Sequence, residues 1–236
     1  MRRETVNKIR YILEELVPPV VRDSSFMRWL FRRHWGRFID DLEDFRMHIT
    51  TLSAESYKAV YERMPRIQEE TDNSRACLEA IAARVVPGKV CDVGCGTGFL
   101  LNFLAQQPLA DKLDLCGVDF IIEAGTQSRH PSIEFVAAPV EGTPFPDRHF
   151  ETVICTHVLE HILDIRAAIA ELRRICAKRL LIVVPLEREY RFTFNPHIHF
   201  FPYPHSFLRH ILPVPPSAEC IVIGRDLLYV EQRGEA

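Results

Sequence analysis

The stretch that decides the fold is Lys89–Ala105, KVCDVGCGTGFLLNFLA, where a short apolar run breaks into three glycines at alternate positions and then resumes with helical spacing. Gly94, Gly96 and Gly98 follow a predicted strand and open a predicted helix. Glycine there permits a tight, partly left-handed turn and lets a ligand touch backbone with no Cβ in the way. Nucleotide-like ligands bind at such turns, at the carboxyl ends of parallel strands. A nicotinamide fingerprint needs a third glycine where Phe99 stands, and a P-loop needs a Gly-Lys-Ser/Thr run that is missing here. Two acids flank the turn: Asp92 ends the first strand and Asp119 ends the next, where a carboxylate can accept hydrogen bonds from ribose hydroxyls.

Outward from this turn, short apolar runs alternate with amphipathic ones. Strands are predicted over 89–94, 112–120, 132–140, 150–157 and 179–185, with helices over 97–106 and about 164–177. Strands alternating with helices imply a parallel sheet, and the fully apolar LLIVV of the last strand suits one covered on both faces. ECIVIGRDLLYVEQ offers two β-rich runs around Gly224, Arg225 and Asp226, a hairpin that should close the sheet with an antiparallel pair. The fold class is therefore α/β: a Rossmann-like, mostly parallel seven-stranded sheet with a C-terminal antiparallel hairpin and an N-terminal helical extension. Domains are expected at 1–70, a helical extension or lid, and at 71–236.

The first 70 residues show helical periodicity only. VNKIRYILEEL is amphipathic and ends at Pro18 and Pro19. After the caps Ser24 and Ser25, a helix with one buried stripe is predicted through Phe31, Trp35, Phe38, Leu42 and Phe45, and a third segment carries Tyr57, Val60, Tyr61 and Met64. Arg28, Arg32, Arg33 and Arg37 beside Trp29 and Trp35 can be read as a surface for an anionic lipid or glycolipid, or as a solvated polar face.

In composition, 47% hydrophobic and 26% charged residues with a formal net charge of −3 place the chain among soluble globular proteins and away from nucleic acid. No apolar run approaches the roughly 18 residues of a membrane span, and the basic start lacks the apolar core of a signal peptide. A cytoplasmic location, with peripheral membrane contact through the N-terminal helices as an option, is the expectation. The seven cysteines, including the CxxxC pair Cys91 and Cys95, read as buried small hydrophobes rather than a metal site.

The motifs resemble those of class I S-adenosylmethionine-dependent methyltransferases. VCDVGCGTGFLL with LCGVDF is similar to the first two family motifs, and VEGTPFPDRHFETVICTHVLEHILD resembles the corresponding segment of the small-molecule branch related to the UbiE and UbiG type enzymes. The likeness covers about residues 71–190. It implies S-adenosyl-L-methionine as cofactor, with Asp92, Gly94, Cys95, Gly96 and Gly98 around its methionine portion and Asp119 on the ribose hydroxyls. It further implies Phe120 beside the adenine and Thr156 and His157 bordering the methyl group. Pro139 replaces the usual adenine-binding aspartate, so Val140 and Glu141 are the expected substitutes, and Glu151 replaces another family aspartate.

Methyl transfer is in-line displacement at a sulfonium carbon, so the protein must align the nucleophile and exclude water. An alcohol acceptor also needs a base. His199 and His157 are the candidates, with His161 and His197 as further histidines, and Phe192, Phe194, Phe200, Phe201 and Tyr203 are expected as acceptor-pocket walls. The expected reaction is methyl transfer, at oxygen, to a small-molecule, saccharide or lipid-linked acceptor. A non-catalytic cofactor-binding partner subunit and a nucleotide-dependent oxidoreductase are the alternatives, and the oligomeric state is left open.

Overall fold

A computed structural model of the protein describes residues 9, 11–48, 51, 71–122, 125–192 and 196–234. The predicted segment around Tyr57, Val60, Tyr61 and Met64 lies outside the described residues, as does Phe194. The chain divides into two compact units: Met1–Glu69 with Glu187–Phe200, and Glu70–Leu186 with Phe201–Ala236.

The larger unit is built on a seven-stranded sheet. Its strands are β1 (Gly88–Val93), β2 (Leu113–Asp119), β3 (Glu134–Ala137), β4 (Phe150–Thr156), β5 (Cys176–Pro185), β6 (Glu219–Ile223) and β7 (Asp226–Gln232), in the order β3-β2-β1-β4-β5-β7-β6. The first five run parallel, while β7 pairs antiparallel with both β5 and β6. The expected hairpin is therefore present, turning at Gly224, whose φ of 63° is left-handed. Residues alternate strictly between two cores: Val153, Cys155, Leu180, Ile182 and Val184 pack on one face, and Ile154, Leu181 and Val183 on the other. Period-two alternation with apolar residues on both faces is what a doubly covered sheet requires.

Boundaries differ from the sequence expectation in three places. The helix after the glycines, Phe99–Leu104, starts two residues later than expected because Gly98 precedes it in the left-handed region, at φ 81°. β3 covers only four residues, at the sheet edge beside β2. The helix Ile165–Ile175 ends where β5 begins, at Cys176, with no turn residue between them, so the strand starts earlier than its apolar run.

In the helical unit, the residues after the Ile12–Leu16 π-turn form α1 (Pro19–Arg22), α2 (Ser25–Trp35) and α3 (Phe38–His48). The single helix expected through Phe31 and Phe45 is two helices, broken at Gly36, whose φ of 64° no helix interior adopts. Leu13, Phe31, Ile39, Tyr190 and Phe192 form its core. Arg46 donates from Nη1 to the Tyr190 carbonyl at 3.0 Å, and Arg22 stacks over the Tyr190 ring at 5.1 Å, which ties Glu187–Phe200 to these helices.

Candidate functional site

The site is assembled at the carboxyl ends of β1, β2 and β4. β1 pairs with both neighbours, Asp92 standing opposite Gly117 on one side and Ile154 on the other. The turn after β1 therefore lies between the turns after β2 and β4. The N–H groups of Gly94 and Cys95 both donate to the Val118 carbonyl, at 2.7 and 3.0 Å. The Gly96 N–H donates to Asp119 Oδ2 at 2.8 Å, while Asp119 Oδ1 accepts from the Ile121 N–H at 3.1 Å. Asp119 thus links the glycine turn to its own loop before any ligand is considered.

The three glycines have different reasons to be glycine. All have positive φ, but a Cβ on Gly94 would stand 2.0 Å from Val158 Cγ2, so the turn packs directly on the segment after β4. A Cβ on Gly98 would meet the Phe135 ring at 2.9 Å. At Gly96 nothing lies within 4 Å, leaving open space over the turn. Gly117, which sequence reasoning passed over, is required too, since its Cβ would lie 2.7 Å from Phe135 and 2.9 Å from Cys95 Sγ.

Asp92 is almost wholly buried, and its Oδ1 has no hydrogen-bond partner. Burial first, and then the charge of Asp119, pushes its pKa up to about 7. A buried carboxylate oxygen without a donor beside an open glycine turn suits a ligand that brings a cationic donor. The amino group of S-adenosylmethionine is such a donor, so these residues fit that cofactor.

At the end of β4, His157 adopts a left-handed backbone conformation, φ 54°, with its N–H donating to the Val183 carbonyl at 2.9 Å. Its Nδ1 lies 3.6 Å from Glu160 Oε1 and its Nε2 lies 3.7 Å from Asp226 Oδ1. Burial pulls the His157 pKa down, but the Glu160 contact and the charges of Asp226 and Asp72 outweigh it, and the net shift is upward. Asn73 Nδ2 donates to the hydroxyl of Thr156 at 3.0 Å, while Asn73 Oδ1 is buried without a partner. Asn73, Asp226 and Glu160 are the members of this cluster that sequence reasoning missed. Glu160 sits in the VLEH run and was legible as a motif; nothing local marks Asn73 or Asp226.

The remaining predicted residues sort clearly. Cys95 is buried, and burial raises its thiol pKa far above the ordinary value. Phe120 is half exposed and Glu141 exposed, whereas Val140 is buried in the core. Glu151 accepts from the Lys89 N–H at 2.8 Å, at the opposite end of β1, so its role is structural. Of the two candidate bases, His157 belongs to the sheet unit and His199 to the Glu187–Phe200 segment of the helical unit. His197 in that segment is buried against Glu187, and His161 is half-buried in a short 3₁₀ turn. Two expected pocket walls are core residues instead. Phe192 packs within the helical unit, and Phe201 is fully buried against Phe207 at 5.3 Å in the sheet unit. Phe200 lies under the Arg46 guanidinium at 5.1 Å, and Tyr203 is exposed.

Among known proteins, residues 91–183 match the family described as a methyltransferase domain. Over 106 residues the chain is 33% identical to a demethylmenaquinone methyltransferase of Renibacterium salmoninarum, covering 43% of this chain and 41% of that protein. It is 26% identical over 136 residues to the ubiquinone/menaquinone biosynthesis C-methyltransferase UbiE of Geotalea daltonii, covering 54% and 55%. The chain thus spans about half the length of these relatives or less. In fold it is similar to human N-acetylserotonin methyltransferase in complex with S-adenosylmethionine, at 17% identity and a TM-score of 0.61, covering 93% of this chain and 72% of that one. The glycine turn between two acid-ended strands, the strand order and the family match together mark residues 91–183 as a methyltransferase domain of the class I, S-adenosylmethionine-dependent kind.

Proposed function

We propose that the protein binds S-adenosylmethionine at the glycine turn and transfers its methyl group to a small-molecule acceptor carrying an acidic hydroxyl, of the phenol or hydroquinone class. The observation that carries this reading is the presence of an unsatisfied, buried Asp92 oxygen and the half-buried His157 at the rim of adjacent strands. When bound, the cofactor supplies an electrophilic methyl on a sulfonium sulfur. Asp92 and the backbone of Gly94–Gly98 hold its amino-acid portion, Asp119 the ribose hydroxyls, and Phe120, Val140 and Glu141 the adenine. Thr156, fixed by Asn73, and His157 border the methyl. The acceptor hydroxyl gives its proton to His157 as its oxygen, or the ring carbon activated by it, takes the methyl from sulfur and S-adenosylhomocysteine leaves; a methylated ring carbon then loses its own hydrogen as a proton to restore the aromatic ring. The names of the quinone-pathway relatives favour carbon; oxygen is the expectation from the presence of a base.

Calorimetric titration tests the reading. S-adenosylmethionine and S-adenosylhomocysteine should bind the wild type and lose at least about 100-fold in affinity on Asp119→Ala, because the substitution removes a charge-assisted pair and frees Gly96. Labelled-methyl transfer to naphthoquinols and catechols, with product analysis, then assigns carbon or oxygen. No binding of either sulfur compound would sink the proposal. A His199→Gln variant working at the wild-type rate beside a crippled His157→Gln would assign the proton to His157, and the reverse outcome would assign it to His199.

A further inference from the structure

Residues 11–33 carry a second apolar face besides the one they bury. In α2, Phe31 is buried in the helical core, while Phe26, Trp29 and Leu30 recur at i, i+3 and i+4 on the outside, with Arg33 one turn further along the same stripe. Val20 is 81% exposed, Phe26 65%, Leu16 62% and Trp29 58%. Phe26 and Trp29 stack on each other with ring centroids 6.1 Å apart. Apolar residues this exposed on three successive elements, with Phe26 and Trp29 stacked on each other, mark an interaction surface, since only singly scattered ones need no partner.

The charge around the stripe says what kind of partner. Residues 1–37 hold nine lysines and arginines against four acids. Three of those acids are engaged within the helical unit: Glu14 accepts from the Arg188 N–H, Glu15 pairs with the Arg188 guanidinium at 3.0 Å, and Asp23 accepts from the Arg191 N–H at 3.1 Å. Arg28 and Arg32 are neutralised by Asp40 and Glu43, at 3.0–3.3 Å. Among the described residues of the stripe, the charge left is that of Arg33, a cation beside aromatic and aliphatic side chains. That pattern matches the interfacial layer of an anionic bilayer, where Trp sits at headgroup depth and arginine meets lipid phosphate.

We propose that the stripe of Leu16, Val20, Phe26, Trp29 and Leu30, edged by Arg33, docks the protein on an anionic phospholipid surface. The inference stands apart from the methyl-transfer reading, because it concerns the helical unit alone. Flotation of the full chain with vesicles of mixed phosphatidylglycerol and phosphatidylcholine tests it, with pure phosphatidylcholine vesicles as the comparison. Binding should require the anionic lipid, weaken with added salt, and fall at least about tenfold in the triple variant Val20→Ser, Phe26→Ser, Trp29→Ser. Arg33→Glu should weaken binding without touching an apolar side chain. In a Trp35→Phe background, brominated lipid should quench the remaining Trp29. Unchanged helical circular dichroism and an unchanged denaturation midpoint in the triple variant show that its helical unit is folded. Equal vesicle binding by wild type and triple variant would overturn the proposal. So would a wild type that ignores anionic vesicles at low salt and sediments as a dimer that the triple variant dissolves, which would make the stripe a contact between two copies of this chain.

Discussion

Glu171 and Asp92 are both buried carboxylates of the sheet unit, and their surroundings drive them in opposite directions. Glu171 Oε1 accepts from the Thr143 N–H at 2.7 Å, the Thr143 hydroxyl at 2.6 Å and Arg174 Nη2 at 2.8 Å, while Oε2 accepts from Arg174 Nε at 2.7 Å. Arg174 also donates to Asp147 and to the Phe145 carbonyl. The Arg174 bond foremost, with the Thr143 bonds, outweighs burial and holds Glu171 down at about 2. This cluster pins the loop after β3 to the helix Ile165–Ile175 and leaves both carboxylate oxygens satisfied. Asp92 has no such donor at Oδ1, and burial raises its pKa to about 7. A complete polar network belongs to the scaffold. An incomplete one, kept at a cost in stability, marks the place where a ligand finishes the bonding.

The largest effect that should sharpen this contrast is kinetic. His157→Gln should slow methyl transfer about 10²–10⁴-fold while leaving S-adenosylmethionine affinity within a few-fold, as expected for loss of a base rather than of a binding group. Because the folded His157 pKa is raised, the neutral form it needs appears only above the ordinary histidine value. The wild-type rate should therefore climb with pH through that range, and Glu160→Gln should move the climb to lower pH. A rate independent of pH in both proteins would remove His157 from the proton transfer. The same raised pKa means that His157 contributes stability fully below about pH 6.5, and that this contribution fades as pH rises through the folded value.

Gly94→Ala comes next. With φ 81° and Val158 2.0 Å from the new methyl, the substitution should cost about 2–4 kcal/mol, read as a lowered denaturation midpoint. Gly96→Ala, with the same chemistry but open space, should cost about 1 kcal/mol and act on cofactor binding instead. If the two variants were equally destabilised, the distinction between packed and open glycines would fail.

On the satisfied side, Glu171→Gln should remove about 2 kcal/mol at neutral pH. The depressed pKa makes this a contribution present above the ordinary Glu value of 4.5 and lost as pH falls toward about 2, so wild type and variant should converge in acid. The last effect has the opposite sign. Asp92→Asn should stabilise the ligand-free protein by about 1–2 kcal/mol at pH 8, because the raised carboxyl costs stability as pH climbs from 3.8 through about 7. The gain should vanish near pH 4, and the variant should bind S-adenosylmethionine more weakly. A variant that is less stable at pH 8 would show that Asp92 is a structural residue like Glu171.

Much of the fold was legible because its signals are local. Period-two apolar runs, glycines between a strand and a helix, and acids at strand ends are set by neighbours in the chain, and a parallel sheet is the arrangement that accommodates them. Failures came where distant contacts outvote local pattern. The apolar spacing from Phe31 to Phe45 is continuous, yet Gly36 divides it, and the buried face is completed by Tyr190 and Phe192 from far along the chain. Phe192 and Phe201 look like pocket aromatics in sequence because composition does not say which side of a packed layer a ring occupies.

By itself the sequence determined the α/β class, the hairpin at the sheet's end, the glycine turn and the acids beside it, since each follows from spacing over a few residues. Only the tertiary structure decided that Asp226 and Asn73, 69 and 84 residues from His157 along the chain, meet here, Asp226 beside the His157 ring and Asn73 bracing the neighbouring Thr156. The physical reason is that burial and electrostatic coupling depend on distance in space. The same carboxylate is a stabilising partner at Glu171 and an unsatisfied charge at Asp92 according to which donors the fold brings to it.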